Sequence, residues 1–188
     1  MQQYRKWGEK LLGTKIRDKR MEMGMSLKDL AIKTDLTPGF LSQIERNMAE
    51  PSITSLRKIS NILGVAVFYF FMDDSGANPI VRKANRKILK SPTSHLEYEL
   101  LCPNLDRQME MFIGKLEPGA ATCEEPLAHT GEEVISVLEG TMWIKVGEDE
   151  YNLDTGDTIY YISSMPHQII NKGSEKLIFI STITPPAF

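Results

Sequence analysis

The sequence predicts two domains of different class: an all-α unit at the start of the chain and an all-β sandwich or barrel after it. Three observations carry this. Residues 1–72 place apolar side chains at helical spacing between capping residues, while the chain beyond residue 96 breaks into short β-rich runs separated by Gly, Asp and Asn turns. The charge divides in the same way: residues 1–72 carry a net +5 and residues 73–188 a net −8. A basic first part suits a polyanionic partner and an acidic second part does not.

In order, Leu12, Ile16, Lys19 and Met23 mark a first amphipathic helix that Gly24 ends. Ser26 caps a second helix, with Asp29 three residues on as the acidic partner of a capping box and Leu27, Leu30 and Ala31 inside. Thr37 caps a third, Pro38 takes the first helical position, and Phe40, Leu41 and Ile44 share its inner side. Gly39, Ser42, Gln43, Arg46 and Asn47 remain outside. These are small residues, amides and a guanidinium, the groups that meet base edges and phosphates. Ser52 caps a fourth helix, stopped by Gly64, and 65–72 closes the unit with a short apolar helix. Two helices joined by three or four residues, the second polar outside, make a helix-turn-helix.

Residues 73–95 read as a linker and docking strand. Arg82, Lys83, Arg86, Lys87 and Lys90 form a basic run, expected to neutralise the acidic second domain in preference to lying on DNA. From residue 96, runs at 97–101, 109–116, 133–138, 141–146, 158–162, 167–170 and 177–183 read as strands, with Gly147-Glu-Asp-Glu among the separators. Apolar runs fall short of the roughly 20 residues needed to span a bilayer. The two cysteines, Cys102 and Cys123, are expected as reduced thiols in the cytoplasm.

Ile16-Arg-Asp-Lys-Arg20, Ser26-Leu-Lys-Asp-Leu-Ala31, Thr37 to Arg46 and Pro51-Ser-Ile-Thr-Ser-Leu56 resemble the phage-repressor-like (XRE) helix-turn-helix family. The resemblance implies a lambda-repressor-like all-α domain whose Thr37 helix enters the major groove. Gln43 matches a base-reading position, and Pro38, Gly39 and Ser42 match the other base-facing ones. Arg46, Asn47 and the start of the Ser26-Leu27 helix would meet phosphates, and Thr37 belongs to the same DNA-binding set. Arg20 and Glu45 match a pair beneath the recognition helix.

Pro118-Gly119, His129-Thr-Gly-Glu-Glu133 and Leu138-Glu-Gly140 resemble the first cupin motif, and Gly156-Asp157, Met165-Pro-His167 and Asn171 the second. The fold class implied is multidomain: helix-turn-helix over 1–72, linker and docking strand over 73–95, cupin jelly-roll over 96–188. A cupin turns His, His, Glu and a last His inward onto a divalent metal. His129, Glu133 and His167 match three ligands, and Leu127 stands at the first. The resemblance therefore implies an effector pocket in which a metal (Zn, Fe, Mn or Ni) is optional and no cofactor is required. Cys123, Glu125, Tyr160 and Trp143 are candidate lining. Glu124, Glu125 and Glu133 favour a polyamine or an amino acid as ligand.

The function expected is a cytoplasmic, non-enzymatic transcriptional regulator, a repressor acting as a homodimer on an inverted-repeat operator in double-stranded DNA, with no membrane partner. The alternative is a metal-dependent cupin dioxygenase or isomerase with a helical tether.

Overall fold

The computed structural model describes residues 11–72, 79–90, 95–105 and 107–187; residues 73–78 and 91–94 of the expected linker and docking strand lie outside them. Four helices come first: α1 (Leu12–Glu22), α2 (Leu27–Thr34), α3 (Pro38–Glu45) and α4 (Ile53–Leu63). Local chemistry sets their ends. Ser26 Oγ accepts from the Asp29 N–H while the Asp29 carboxylate accepts from the Ser26 N–H, a closed capping box. Thr37 Oγ1 accepts from Phe40 N–H and Ser52 Oγ from Ser55 N–H. Gly64 ends α4 at φ 65°, a conformation that costs glycine little. The closing segment, Val67–Phe71, is a 3-10 helix.

Ile16, Leu30, Leu41, Ile44, Leu56 and Ile59 are buried at the centre of this unit. Met23, expected inside, is 43% exposed, because α1 ends at Glu22 and leaves it beyond the last turn. Gly13 is the closer determinant: a Cβ there would stand 1.9 Å from the carbonyl oxygen of Ile44, so α1 and α3 approach to backbone contact.

The remainder is antiparallel β. The strands are β1 (Ile88–Lys90), β2 (Leu96–Leu100), β3 (Glu110–Leu116), β4 (Glu132–Glu139), β5 (Met142–Val146), β6 (Asp149–Leu153), β7 (Thr158–Ile162), β8 (His167–Ile170) and β9 (Leu177–Thr184). One sheet runs β1-β2-β3-β9-β4-β7 and the other β6-β5-β8. Alternation is clear in β3 and β9, where every second residue is buried. β6 departs from the sequence expectation, which took part of it for a separator. Four of its five residues are exposed, as suits the edge of the smaller sheet.

The basic run finds partners in the β domain: Arg86 Nη1 lies 2.8 Å from Glu99 Oε2 and Lys90 Nζ 3.3 Å from Glu97 Oε2. Asn171, from the second β motif, is fully buried. Its amide donates to the carbonyls of Leu116 and Glu175 and accepts from Gly173 N–H, fixing the turn after β8.

Candidate functional site

The first candidate surface is the outer side of α3. Thr37, Pro38, Gly39, Gln43 and Arg46 are exposed and Ser42 half-buried. Leu41, Ile44 and Glu45 hold the opposite side. Beneath it Arg20 forks onto Glu45, Nε to Oε1 at 2.6 Å and Nη2 to Oε2 at 2.9 Å, with Nη1 donating to Met25 O at 2.6 Å. This fixes the end of α3 against α1. At the start of α2, Ser26 is exposed and Leu27 packs partly against the core. Asn47 is exposed, and its Oδ1 accepts the N–H of Gly13 at 2.9 Å, tying α1 to the end of α3, with its backbone at φ 57°. Arg46 Nε donates to Ser42 O, which aligns the guanidinium along α3.

The second candidate site lies between the two sheets, where β4, β8 and the 127–131 loop meet. His129, Glu133 and His167 come together with one ligand atom from each lying within 4.8 Å of the others. Glu133 Oε2 is 3.5 Å from His129 Nε2 and 3.7 Å from His167 Nε2. His129 Nδ1 is 3.1 Å from Thr130 O and His167 Nδ1 is 2.9 Å from Met165 O, contacts in which only a ring N–H can donate. Nδ1–H of each ring is thereby engaged by the backbone, and each Nε2 faces Glu133. His129 Nε2 is buried without a hydrogen-bond partner.

Glycine places the first histidine. Gly131 has φ +97°, and a Cβ there would stand 2.1 Å from the Thr184 carbonyl oxygen, so only glycine lets this loop pass against the end of β9. Leu127 faces the same way as His167, since the two residues exchange both backbone hydrogen bonds as an antiparallel pair. The position matched to the first cupin ligand thus points at the site and offers a hydrocarbon.

Three further residues stand around Glu133 and His129, of which the sequence offers Tyr161 as a pocket wall but neither Ser181 nor Ser163. Tyr161, the cross-strand neighbour of Glu133, donates its hydroxyl to Oε2 at 2.7 Å, and Ser181 donates to Oε1 at 2.5 Å. Ser163, at the end of β7, accepts the His129 N–H on its carbonyl and keeps a buried Oγ without a partner. Ser181 left a signal: it is the polar member of an otherwise apolar alternation of Leu177, Phe179 and Ile183.

Three expected lining residues lie elsewhere. Tyr160 is 60% exposed and donates to Glu132, because strand alternation turns Tyr161 inward and its neighbour out. Trp143 pairs with Ile170, on the face of its sheet opposite His167, and carries the Lys172 ammonium 3.5 Å from its ring centroid. Glu125 is exposed, as is Glu124. Cys123 is buried, its thiol 3.8 Å from the His167 carbonyl.

Burial pushes the Glu133 carboxyl up, but His129, Ser181, His167 and Tyr161 outweigh it and hold the group below the usual carboxylate range. Burial holds the His167 imidazole below its ordinary value of 6.5, against the pull of Glu133. The unfolded chain therefore takes up protons at a higher pH than the folded one. In chelator-treated protein, stability is expected to fall as pH drops through about 6.5 on account of His167. It falls again below about 4.3 as Glu133 protonates. Melting temperature followed from pH 8 to pH 4 checks this; a flat profile down to pH 5 contradicts it.

The comparisons agree with the geometry. A helix-turn-helix family model matches residues 16–70 and a cupin-domain model residues 112–183. The chain is 26% identical to the HTH-type transcriptional regulator PuuR of Escherichia coli over 178 residues, covering 94% of this chain and 96% of that protein. It is 27% identical to the HTH-type transcriptional regulator SutR of the same organism over the same shares. The crystal structure of an HTH_3 family transcriptional regulator from Vibrio cholerae superposes with a TM-score of 0.75 at 27% identity, covering 92% of this chain and 94% of that one. The protein is thus a two-domain DNA-binding regulator, an XRE-type helix-turn-helix joined to a cupin. Within that class it resembles PuuR and SutR over nearly its whole length.

Proposed function

We propose that the protein binds a specific operator through α3 and adjusts that binding to a small molecule held in the cupin barrel. The observation that carries the first half is the exposed row of Thr37, Gly39, Gln43 and Arg46 on a helix clamped from beneath by Arg20 and Glu45. Gln43 can pair in the major groove with adenine, through its amide, and Arg46 can meet a phosphate. One such helix reads few base pairs, so the active form is a homodimer and the operator an inverted repeat with half-sites about one helical turn apart. We assign the headpiece to 1–72, the connector to 73–95 and the sensor and dimerisation domain to 96–188. Repression from a cytoplasmic location follows from this reading; among the described residues no helix is long and apolar enough to cross a membrane. Selection of bound sequences from random duplexes tests it: an inverted repeat is expected, and enrichment of no sequence overturns it.

The two imidazoles and one carboxylate fit a divalent ion. Their Nε2 atoms converge on a buried carboxylate, and the His129 nitrogen is left without a hydrogen-bond partner. We infer that His129, Glu133 and His167 hold the ion when it is present, with Tyr161 and Ser181 orienting Glu133. Bound there, a divalent ion would supply a positive centre for an oxygen or nitrogen of the effector. His129→Ala is expected to abolish the rise in melting temperature produced by Zn²⁺, which in the parent reflects a stabilisation of about 2.7 kcal/mol at a hundredfold excess over the dissociation constant. An undiminished shift in the variant contradicts the assignment. We favour a sensor over an enzyme because a complete DNA-reading headpiece accompanies the barrel and Leu127 removes one ligand.

A further inference from the structure

Strand pairing fixes which side chains share the outer face of the larger sheet. Buried residues alternate along β3 and β9, so Met111, Ile113 and Lys115 turn outward from one strand and Ile178, Ile180 and Thr182 from the other. The register extends them into rows. Ile113 and Ile180 continue into Ser136 of β4, while Met111 and Thr182 continue into Val134 and then Tyr160 of β7. A third row runs from Lys115 through Ile178 to Glu139. An antiparallel sheet with one wet face ordinarily alternates apolar-in and polar-out. Here Met111, Ile113, Ile178, Ile180 and Val134 hold the centre of the outer face. At its β7 side Tyr160 and Ile162 are 60% and 55% exposed. A contiguous apolar surface of this kind marks a place where another protein surface docks.

The charges around this centre say what docks. On its β1–β2 side Lys115 bridges Glu97 and Glu99, Lys90 joins Glu97 and Arg86 joins Glu99, a ladder of three cations and two anions. On its β4 side Glu132 and Glu139 are exposed, and the outward residues of β4 and β7 include no Lys or Arg. One side is therefore positive and the other negative. A twofold axis along β9 lays two such faces together in opposite order. β4 of one copy then covers β3 of the other, so that Glu139 meets Lys115, Val134 meets Met111 and Ile180 meets its own equivalent. With strands about 4.8 Å apart and rows about 6.8 Å apart, the outer face covers roughly 600 Å², the scale of one side of a specific interface.

We propose that two copies of the chain join through this face, with β9 on the twofold axis and β4 of each against β3 of the other. The proposal rests on the reading of the chain as a homodimeric regulator and names the surface that makes the dimer. The same strands carry the candidate site on their inner side. Glu133 stands between the outward Glu132 and Val134, Ser181 between the outward Ile180 and Thr182, and Ser181 donates to Glu133 at 2.5 Å. The second copy therefore rests on the back of the strands that hold Glu133, one layer of backbone away. A ligand that moves β4 against β9 also moves the interface, and with it the spacing of the two α3 helices, which is the differential contact a change in operator affinity requires.

The test uses the full chain, by sedimentation velocity with circular dichroism as the check on folding. The parent should be a dimer with a dissociation constant at or below about 1 µM, as interfaces of this size give. Ile180→Glu sets two carboxylates against each other on the axis and should weaken the dimer by about a hundredfold or more. Glu139→Lys sets an ammonium against Lys115 and should weaken it by about tenfold. Glu150→Lys, on the exposed edge strand β6 of the other sheet, should leave it at the parent level. Folded Ile180→Glu should also bind the selected inverted repeat at least about tenfold more weakly while keeping the parent's affinity for a single half-site. A monomeric parent overturns the proposal, as does Ile180→Glu or Glu139→Lys dissociating no more than Glu150→Lys. Should Ile180→Glu fail to fold, Glu139→Lys, at an exposed position, decides alone. A parent that dimerises and responds to these substitutions as stated, yet binds no selected duplex, supports the proposal and overturns the DNA-binding reading instead.

Discussion

Glu45→Ala is expected to cost the helical domain about 3–5 kcal/mol, the usual penalty for stripping one partner from a buried ion pair. Arg20 and Glu45 side chains are only 11% and 7% exposed, and the guanidinium spends two of its donors on the carboxylate. With Glu45 gone, Arg20 keeps the Met25 carbonyl and little else in the site. For a domain of this size the melting transition should fall by roughly 15 °C or more. Operator binding should fall with it, since Glu45 closes the helix that carries Gln43. Arg20→Lys with Glu45 in place should lose part of the same stability, because an ammonium cannot make the forked contact. Thermal unfolding followed by circular dichroism decides the matter: a loss below about 1 kcal/mol would mean the pair is solvated and the clamp is not structural.

Gly13→Ala is the second large effect, and its sign is opposite to the usual one. Inside an exposed helix this change stabilises by about 1 kcal/mol. Here the new methyl would stand 1.9 Å from the Ile44 carbonyl oxygen, which is backbone and cannot swing aside. The helices must separate, and the bond from Gly13 N–H to Asn47 Oδ1 stretches with them. A loss of about 3 kcal/mol or more is expected, at the upper end of overpacking costs. Denaturant unfolding checks it; a neutral or stabilised variant would contradict the close approach of α1 and α3. The two substitutions act on opposite sides of one requirement, that α3 be held rigidly while its outer side stays bare.

What was legible in the sequence was mostly local. Ser26, Thr37, Ser52 and Gly64 announce helix ends because capping is decided within three or four residues. The trio of His129, Glu133 and His167 was legible through its motifs, although nothing in the spacing of residues 129 and 167 says that β4 and β8 face each other. What escaped depends on facing and distance. Tyr160 and Tyr161 are neighbours in a strand, and only its pairing with β4 tells which one turns to Glu133. Trp143 is misjudged for the same reason. Asp149 and Glu150 read as part of a turn because an edge strand needs few apolar side chains. Gly13 and Asn47 are 34 residues apart, and Ser181 and Glu133 are 48 apart. Such pairings exist only after folding.

The central claim is that Gln43 and Arg46 read and hold the duplex, and its most direct measurement is operator affinity of the folded Gln43→Ala, Arg46→Ala double variant. Titrated at fixed salt against the selected inverted repeat, it should bind at least tenfold more weakly than the parent, since a bidentate base contact alone is worth about 1–3 kcal/mol. Discrimination against random duplex should shrink with it. Equal affinity and equal discrimination in a variant with the parent's melting temperature would show that α3 does not read DNA in this protein.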